Sequence, residues 1–132
     1  MNGEATRGAS RRQARRQALF LLYQWDLTSQ PLETLFDGPP DEFASSLAHA
    51  VAEAATTLDA RITAASPDWP ADRLGTLERN ILRIGVYELE EGTVPAEVAI
   101  NEAVVLAKRY ATEDAAKLVN GILGGIRREA AT

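Results

Sequence analysis

Apolar residues in this chain recur at spacings of three and four, and no apolar–polar alternation persists anywhere. That period lines one face of an α-helix and does not fit half-buried strands. The sequence therefore predicts an all-α bundle of six or seven helices. Aromatics make up only 6% of the residues and alanine is abundant, which favours helix over sheet. The 132 residues suffice for one domain with its own hydrophobic core. There is no cysteine, so neither disulfides nor thiol chemistry enter, and a reducing compartment fits. The N-terminus is polar and arginine-rich, so no signal peptide is expected. No run approaches the roughly 18 continuous apolar residues of a membrane span. The chain is expected to be soluble and cytoplasmic, with no membrane partner.

Residues 1–9 read as a disordered arm. Ser10 and Gln13 have the form of a capping box that opens a helix from about Arg11 to Thr28. Ala14, Ala18, Leu21, Leu22 and Trp25 form its apolar stripe. Ser29-Gln30-Pro31 breaks it, and a short helical piece around Leu32, Leu35 and Phe36 precedes Gly38. Asp41 caps a helix over about 42–65, whose stripe is Phe43, Leu47, Val51, Ala54, Leu58 and Ile62. The segment Thr76–Glu91 is apolar on two faces and is expected to be central, with Gly92 as its C-terminal cap. Pro95 opens the next helix, to about Tyr110. Thr112 caps the last, with Glu113 and Asp114 at its positive end. Pro67 to Gly75 is the expected boundary between two helical halves, about 10–70 and 71–130, sharing one core. Trp25 and Trp69 are expected in or near that core.

The net charge of −5 argues against a polyanion partner, but its distribution does not. Residues 1–16 carry five arginines against the single Glu4, and the remaining residues carry 9 basic and 18 acidic side chains. A basic arm on an acidic body suggests one localised anion-binding surface. Arg11, Arg12, Arg15 and Arg16 fall within an arc of about 140° on a helix. Like charges at i,i+4 repel, and cations at a helix N-terminus oppose its dipole. Bound phosphate removes both costs, and guanidinium groups also stack on unpaired bases, so single-stranded RNA is a natural target. A solvated face paired with acids of the body is the alternative.

Catalysis finds no support. His49 is the only histidine and, without cysteine, supplies no zinc site. Glu90-Glu91 and Glu113-Asp114 sit at helix ends, where capping explains them better than acid–base chemistry. Gly121, Gly124 and Gly125 follow helix rather than strand, so they form no phosphate-cradling loop and are expected to allow tight packing or a loosened C-terminus. No catalytic constellation, cofactor or metal site is expected. Tyr23, beside the polar face of the first helix, can stack on a base or pack.

Three stretches carry a family resemblance. Arg11-Arg12-Gln13-Ala14-Arg15 leading to Ala18-Leu19-Phe20-Leu21-Leu22-Tyr23-Gln24 resembles an arginine-rich opening that ends in ALQxLYQ. Glu78-Arg79-Asn80-Ile81-Leu82-Arg83 with Tyr87-Glu88-Leu89 resembles ILRxAxYEL. Pro95 with the run Val98 to Lys108, then Lys117 to Leu123, resembles PxxVAINEAVELAK followed by KFVNGVL. These are the signatures of the transcription antitermination factor NusB family, and the resemblance covers about residues 10–126. It implies two packed three-helix subdomains and no enzymatic activity. It also implies binding of boxA single-stranded RNA in nascent ribosomal RNA transcripts, jointly with the NusE-type small-subunit ribosomal protein, within the transcription elongation complex. By the resemblance Arg11, Arg12, Arg15, Arg16, Tyr23, Lys117 and Leu118 face RNA, with Leu118 in place of a common aromatic. Glu78 and Arg79 face the protein partner. Asn101 and Glu102 are expected to satisfy buried backbone groups between the halves.

Two other functions compete. One is the NusB-like regulatory domain of RNA cytosine methyltransferases, which is fused to an α/β catalytic domain. The absence of any βαβ pattern here favours a stand-alone factor. The other is a protein–protein adaptor or homodimer whose arginine arm meets an acidic surface.

Overall fold

Seven consecutive residues, Asn80 to Val86, are buried in the segment Thr76–Glu91. A helix covered all round in this way must lie in the middle of its bundle, and it does in the computed structural model, which describes residues 3–39 and 41–131. Six α-helices follow in order: α1 Gly3–Thr28, α2 Glu42–Glu53, α3 Ala55–Ala65, α4 Thr76–Glu91, α5 Ala96–Tyr110 and α6 Glu113–Ala131. Single 3₁₀ turns at Leu32–Thr34 and Ala71–Arg73 join them, and the described residues contain no strand. α4 packs against each of the other five helices. One continuous apolar cluster draws on all six, from Leu19 and Leu22 through Val51, Ile62 and Ile81 to Val119 and Leu123.

The helix boundaries follow local chemistry. The Asp41 carboxylate accepts the Ala44 N–H at 2.9 Å, and the Thr112 hydroxyl accepts the Ala115 N–H at 2.9 Å. Gly92 ends α4 at φ +70°, a left-handed conformation that glycine adopts without a Cβ penalty. Ser29 adopts φ +59° just past α1, and its N–H bonds the Trp25 carbonyl at 2.8 Å.

Several expectations need correction. α1 starts at Gly3 rather than near Arg11, so Ser10 lies inside the helix instead of capping it. Most of the arm expected to be disordered thus has helical backbone. Residues 1 and 2 lie outside the described residues. The helix expected over 42–65 bends at Ala54, where φ is −92° and ψ is 4°. The Ala54 N–H still bonds the Ala50 carbonyl and the Leu58 N–H the Ala54 carbonyl, so the ladder turns without ending. The bend lets α2 lie on α1 while α3 reaches α4 and α6. No proline or glycine marks it, and the apolar face continues through it. Trp69 is 53% exposed rather than in the core. The close-packing glycine is Gly85, where an added Cβ would lie 2.7 Å from a Leu123 methyl, whereas Gly121 faces open space.

A buried polar network joins α1, α3 and α4. Asp26 Oδ2 accepts from Arg79 (2.9 and 3.1 Å), from the Asn80 amide (3.0 Å) and from Arg83 (3.0 Å). Arg83 also forks onto Asp59 with two bonds of 2.7 Å and lies 5.9 Å from the Trp25 ring centroid. Burial opposes the Arg83 charge, but its pairing with Asp59 and Asp26 outweighs that and holds its pKa above the ordinary value. Among the described residues no buried side-chain polar atom lacks a partner. Removing Asp26 would leave Arg83 with Asp59 alone and Arg79 with only the Ala71 and Leu74 carbonyls, so Asp26→Ala is expected to lower the unfolding free energy by about 2 kcal/mol. Leu27→Ala, at a neighbour 60% exposed, is expected to cost under about 0.5 kcal/mol. Urea unfolding of both variants checks this, and equal small losses would show that the network does not hold the helices.

Candidate nucleic-acid interface

The four arginines of α1 share one arc in sequence, but the fold divides it. α1 buries the face that carries Ala14, Ala18, Leu19 and Leu22. Arg15 lies on the edge of that face and is only 4% exposed. Its guanidinium forks onto the Glu88 carboxylate of α4 at 2.9–3.1 Å and lies 3.6 Å from Glu102 of α5. Arg15 is therefore engaged in the fold, with its guanidinium turned onto Glu88 and Glu102 and not out to solvent. The reason is the desolvation of Glu88 and Glu102, which need a cation once the helices pack.

Arg12 and Arg16 lie on the outer face. Arg12 is well exposed and donates to Glu102 at 3.1 Å. Arg16 is half-buried and pairs with no acid among the described residues. Arg11 is exposed, with its guanidinium 5.0 Å from the Phe43 ring centroid on α2. Glu102 thus serves two arginines rather than the backbone groups expected for it, and Asn101 is exposed.

A groove of about 410 Å³ runs between α1 and the end of α5, lined by Arg12, Arg15, Arg16, Glu102, Arg109 and Tyr110 among others. Arg109 lies 5.5 Å from the Tyr110 ring, which meets Phe20 of α1 edge-on at 5.1 Å. Phe20 is 41% exposed. Exposed cations beside accessible aromatic rings suit a strand with both phosphates and unpaired bases. Sequence reasoning passed over Arg109, Tyr110 and Phe20. The Lys108-Arg109-Tyr110 triplet was a signal, but nothing local shows that it lies beside the arginines of α1, some 90 residues earlier.

The other expected site residues are dispersed. Tyr23 is exposed on the same side of α1 but does not line the groove. Lys117 is exposed on α6, and Leu118 is half-buried against the core; neither lines the groove. Arg79 is held by Asp26 and by the carbonyls of Ala71 and Leu74, so it stabilises the fold rather than presenting itself to a partner. Glu78 is half-buried and folds back towards Gly75, where its carboxylate occupies the space that a Cβ would need. His49 is half-buried, 3.7 Å from Glu33, and the described residues contain no cluster of potential metal ligands. No described helix is long and apolar enough to cross a membrane.

Fold and site together define a class: an all-helical binding domain that turns a cationic, aromatic-edged face to solvent. The sequence model of the NusB family matches residues 12–128, and the chain belongs to that family of non-enzymatic transcription antitermination factors. The transcription antitermination protein NusB of Solibacter usitatus (strain Ellin6076) is 40% identical, with 92% of this chain and 90% of that protein covered. The protein of the same name from Rubrobacter xylanophilus is 42% identical, with 88% of each covered. In structure, T. maritima NusB superposes with a TM-score of 0.78 at 34% identity, covering 90% of this chain and 91% of that one. A chain from the crystal structure of antitermination factors NusB and NusE in complex with dsRNA gives 0.77 at 31% identity, covering 90% and 96%.

The two kinds of arginine separate by stability. Arg15→Ala leaves Glu88 buried without its fork and is expected to cost about 3 kcal/mol. Arg16→Ala is expected to cost under about 0.5 kcal/mol. Thermal and urea unfolding compare them, and equal effects would sink the division.

Proposed function

We propose that this antitermination factor binds boxA-type single-stranded RNA of nascent ribosomal RNA transcripts together with a NusE-type small-subunit ribosomal protein, helping RNA polymerase resist termination. The observation that carries this reading is the grouping of Arg12, Arg16 and Arg109 around one groove on the outer face of the bundle. Those three guanidinium groups supply the phosphate contacts, and the adjacent rings suit unpaired bases. A relative of the same fold forms a complex with NusE and dsRNA, which supports both partners. Lys117 is exposed near the start of α6, outside the groove, and is a further cation open to the RNA backbone.

The protein partner has a separate place. Leu27 is 60% exposed one turn beyond Tyr23, and the Asp26–Arg79 pair ties this end of α1 to the start of α4, where Glu78 lies. An exposed apolar residue at this end of α1 is a suitable anchor for a protein, and Arg79 acts there by positioning. RNA and protein then occupy neighbouring parts of α1, and each favours the other's binding by linkage. The setting is the cytoplasmic elongation complex.

A salt-series titration of boxA RNA against a scrambled RNA, with and without the ribosomal protein, tests the reading. A boxA preference that the protein strengthens is expected. Each of Arg12→Ala and Arg16→Ala should reduce the salt slope by about 0.7, the value for one phosphate contact on a single strand. Equal, weak binding of both RNAs with the protein present would leave a protein–protein module instead.

A further inference from the structure

The groove that carries the arginines stops at the Phe20–Tyr110 pair, and a second groove of different chemistry begins on the other side of Phe20. This second groove, about 490 Å³, runs between α1 and the segment that enters α2. Among the described residues its lining includes no cation. Gln17 and Gln24 stand on α1 on either side of Phe20, Phe36 forms part of the opposite wall, and Asp37 and Asp41 bring carboxylates. Phe36 is steadied by the His49 ring, at 6.5 Å between centroids.

From this chemistry we propose that the second groove is a nucleobase site: it takes one unstacked base of the RNA whose phosphates lie in the arginine groove. The inference rests on the reading that the arginine groove binds RNA. Two carboxylates and no cation would repel a phosphate, so the strand's backbone stays on the arginine side of Phe20. A neutral base carries no such penalty. It gains stacking on an exposed ring and finds side-chain amides that both donate and accept along its edge, as glutamine does to adenine. The carboxylates accept from an exocyclic amino group, which favours adenine, cytosine or guanine over uracil. Phe20 is the hinge of the arrangement because one of its edges meets Tyr110 of the first groove while its ring lines the second. The site also places a stacking surface on α1, at a distance in sequence from Leu118, whose side chain packs against the core.

The test uses the full chain and the same RNA carrying 2-aminopurine at one position at a time. One position is expected to lose fluorescence on binding and to regain it in Phe20→Ala. That variant is expected to bind about tenfold more weakly, at the low end of a lost base stack, with its salt slope unchanged because no phosphate contact is removed. Gln24→Ala is expected to keep the stacking signal and to reduce discrimination between bases at that position. Gln24 is exposed and its variant should melt with the parent, whereas Phe20→Ala loses the edge contact with Tyr110 and is therefore titrated well below its own melting temperature, with its helical circular dichroism matching the parent to exclude a folding effect. Phe20→Ala that binds as tightly with its quenching intact would overturn the proposal while leaving the arginine reading in place. Normal RNA binding with loss only of the ribosomal protein's contribution would overturn it by giving the groove to that protein. A parent chain with no salt-dependent RNA binding would end both the reading and the proposal.

Discussion

Arg83 sits in the middle of the bundle with its guanidinium held between the carboxylates of Asp26 and Asp59. A charge so placed tolerates very little displacement of its partners. Sliding α1 or α3 along its axis by one turn would move its carboxylate by about 5.4 Å and take one of its two partners from the buried guanidinium. Such pairs add little net stability compared with apolar packing, because desolvation offsets the attraction. Their effect is on register. Because α4 touches every other helix, fixing α1 and α3 against it fixes where the outer face of α1 lies. The Arg15 fork onto Glu88 does the same nearer the N-terminus.

The binding face follows from that register. With Arg15 committed inward, the next arginine, about 100° further round the helix, is left at the groove. Arg12 is shared between Glu102 and solvent. A phosphate approaching Arg12 therefore competes with an existing carboxylate, whereas one approaching Arg16 does not. The groove is thus graded from a structural ion pair at its floor to exposed cations at its rim, with rings at one end.

Much of the fold was legible in the sequence. The two apolar faces of α4, the Asp41 and Thr112 caps and the Gly92 terminus all depend on patterns within a few residues, and each is found. What was missed depended on packing. The bend at Ala54 has no local marker, Trp69 was placed by its apolar character alone, and the tight helix contact needed Leu123 to come against Gly85. The basic face of α1 is legible in the spacing of its arginines, but no local pattern tells Arg15 from Arg16.

The sequence by itself determined that this chain is all helix, that its positive charge gathers at one end of α1 and that it has no cysteine or histidine cluster for metal or redox chemistry. Those properties are set by periodicity, composition and capping, which act over a turn or two of chain. Only the tertiary structure decided which arginines remain available, and that Arg109, Tyr110 and Phe20 join them. Glu88, 73 residues from Arg15, must be brought against α1 before its need for a cation is felt. An ion pair across such a distance is a consequence of helix packing, and no local pattern encodes it.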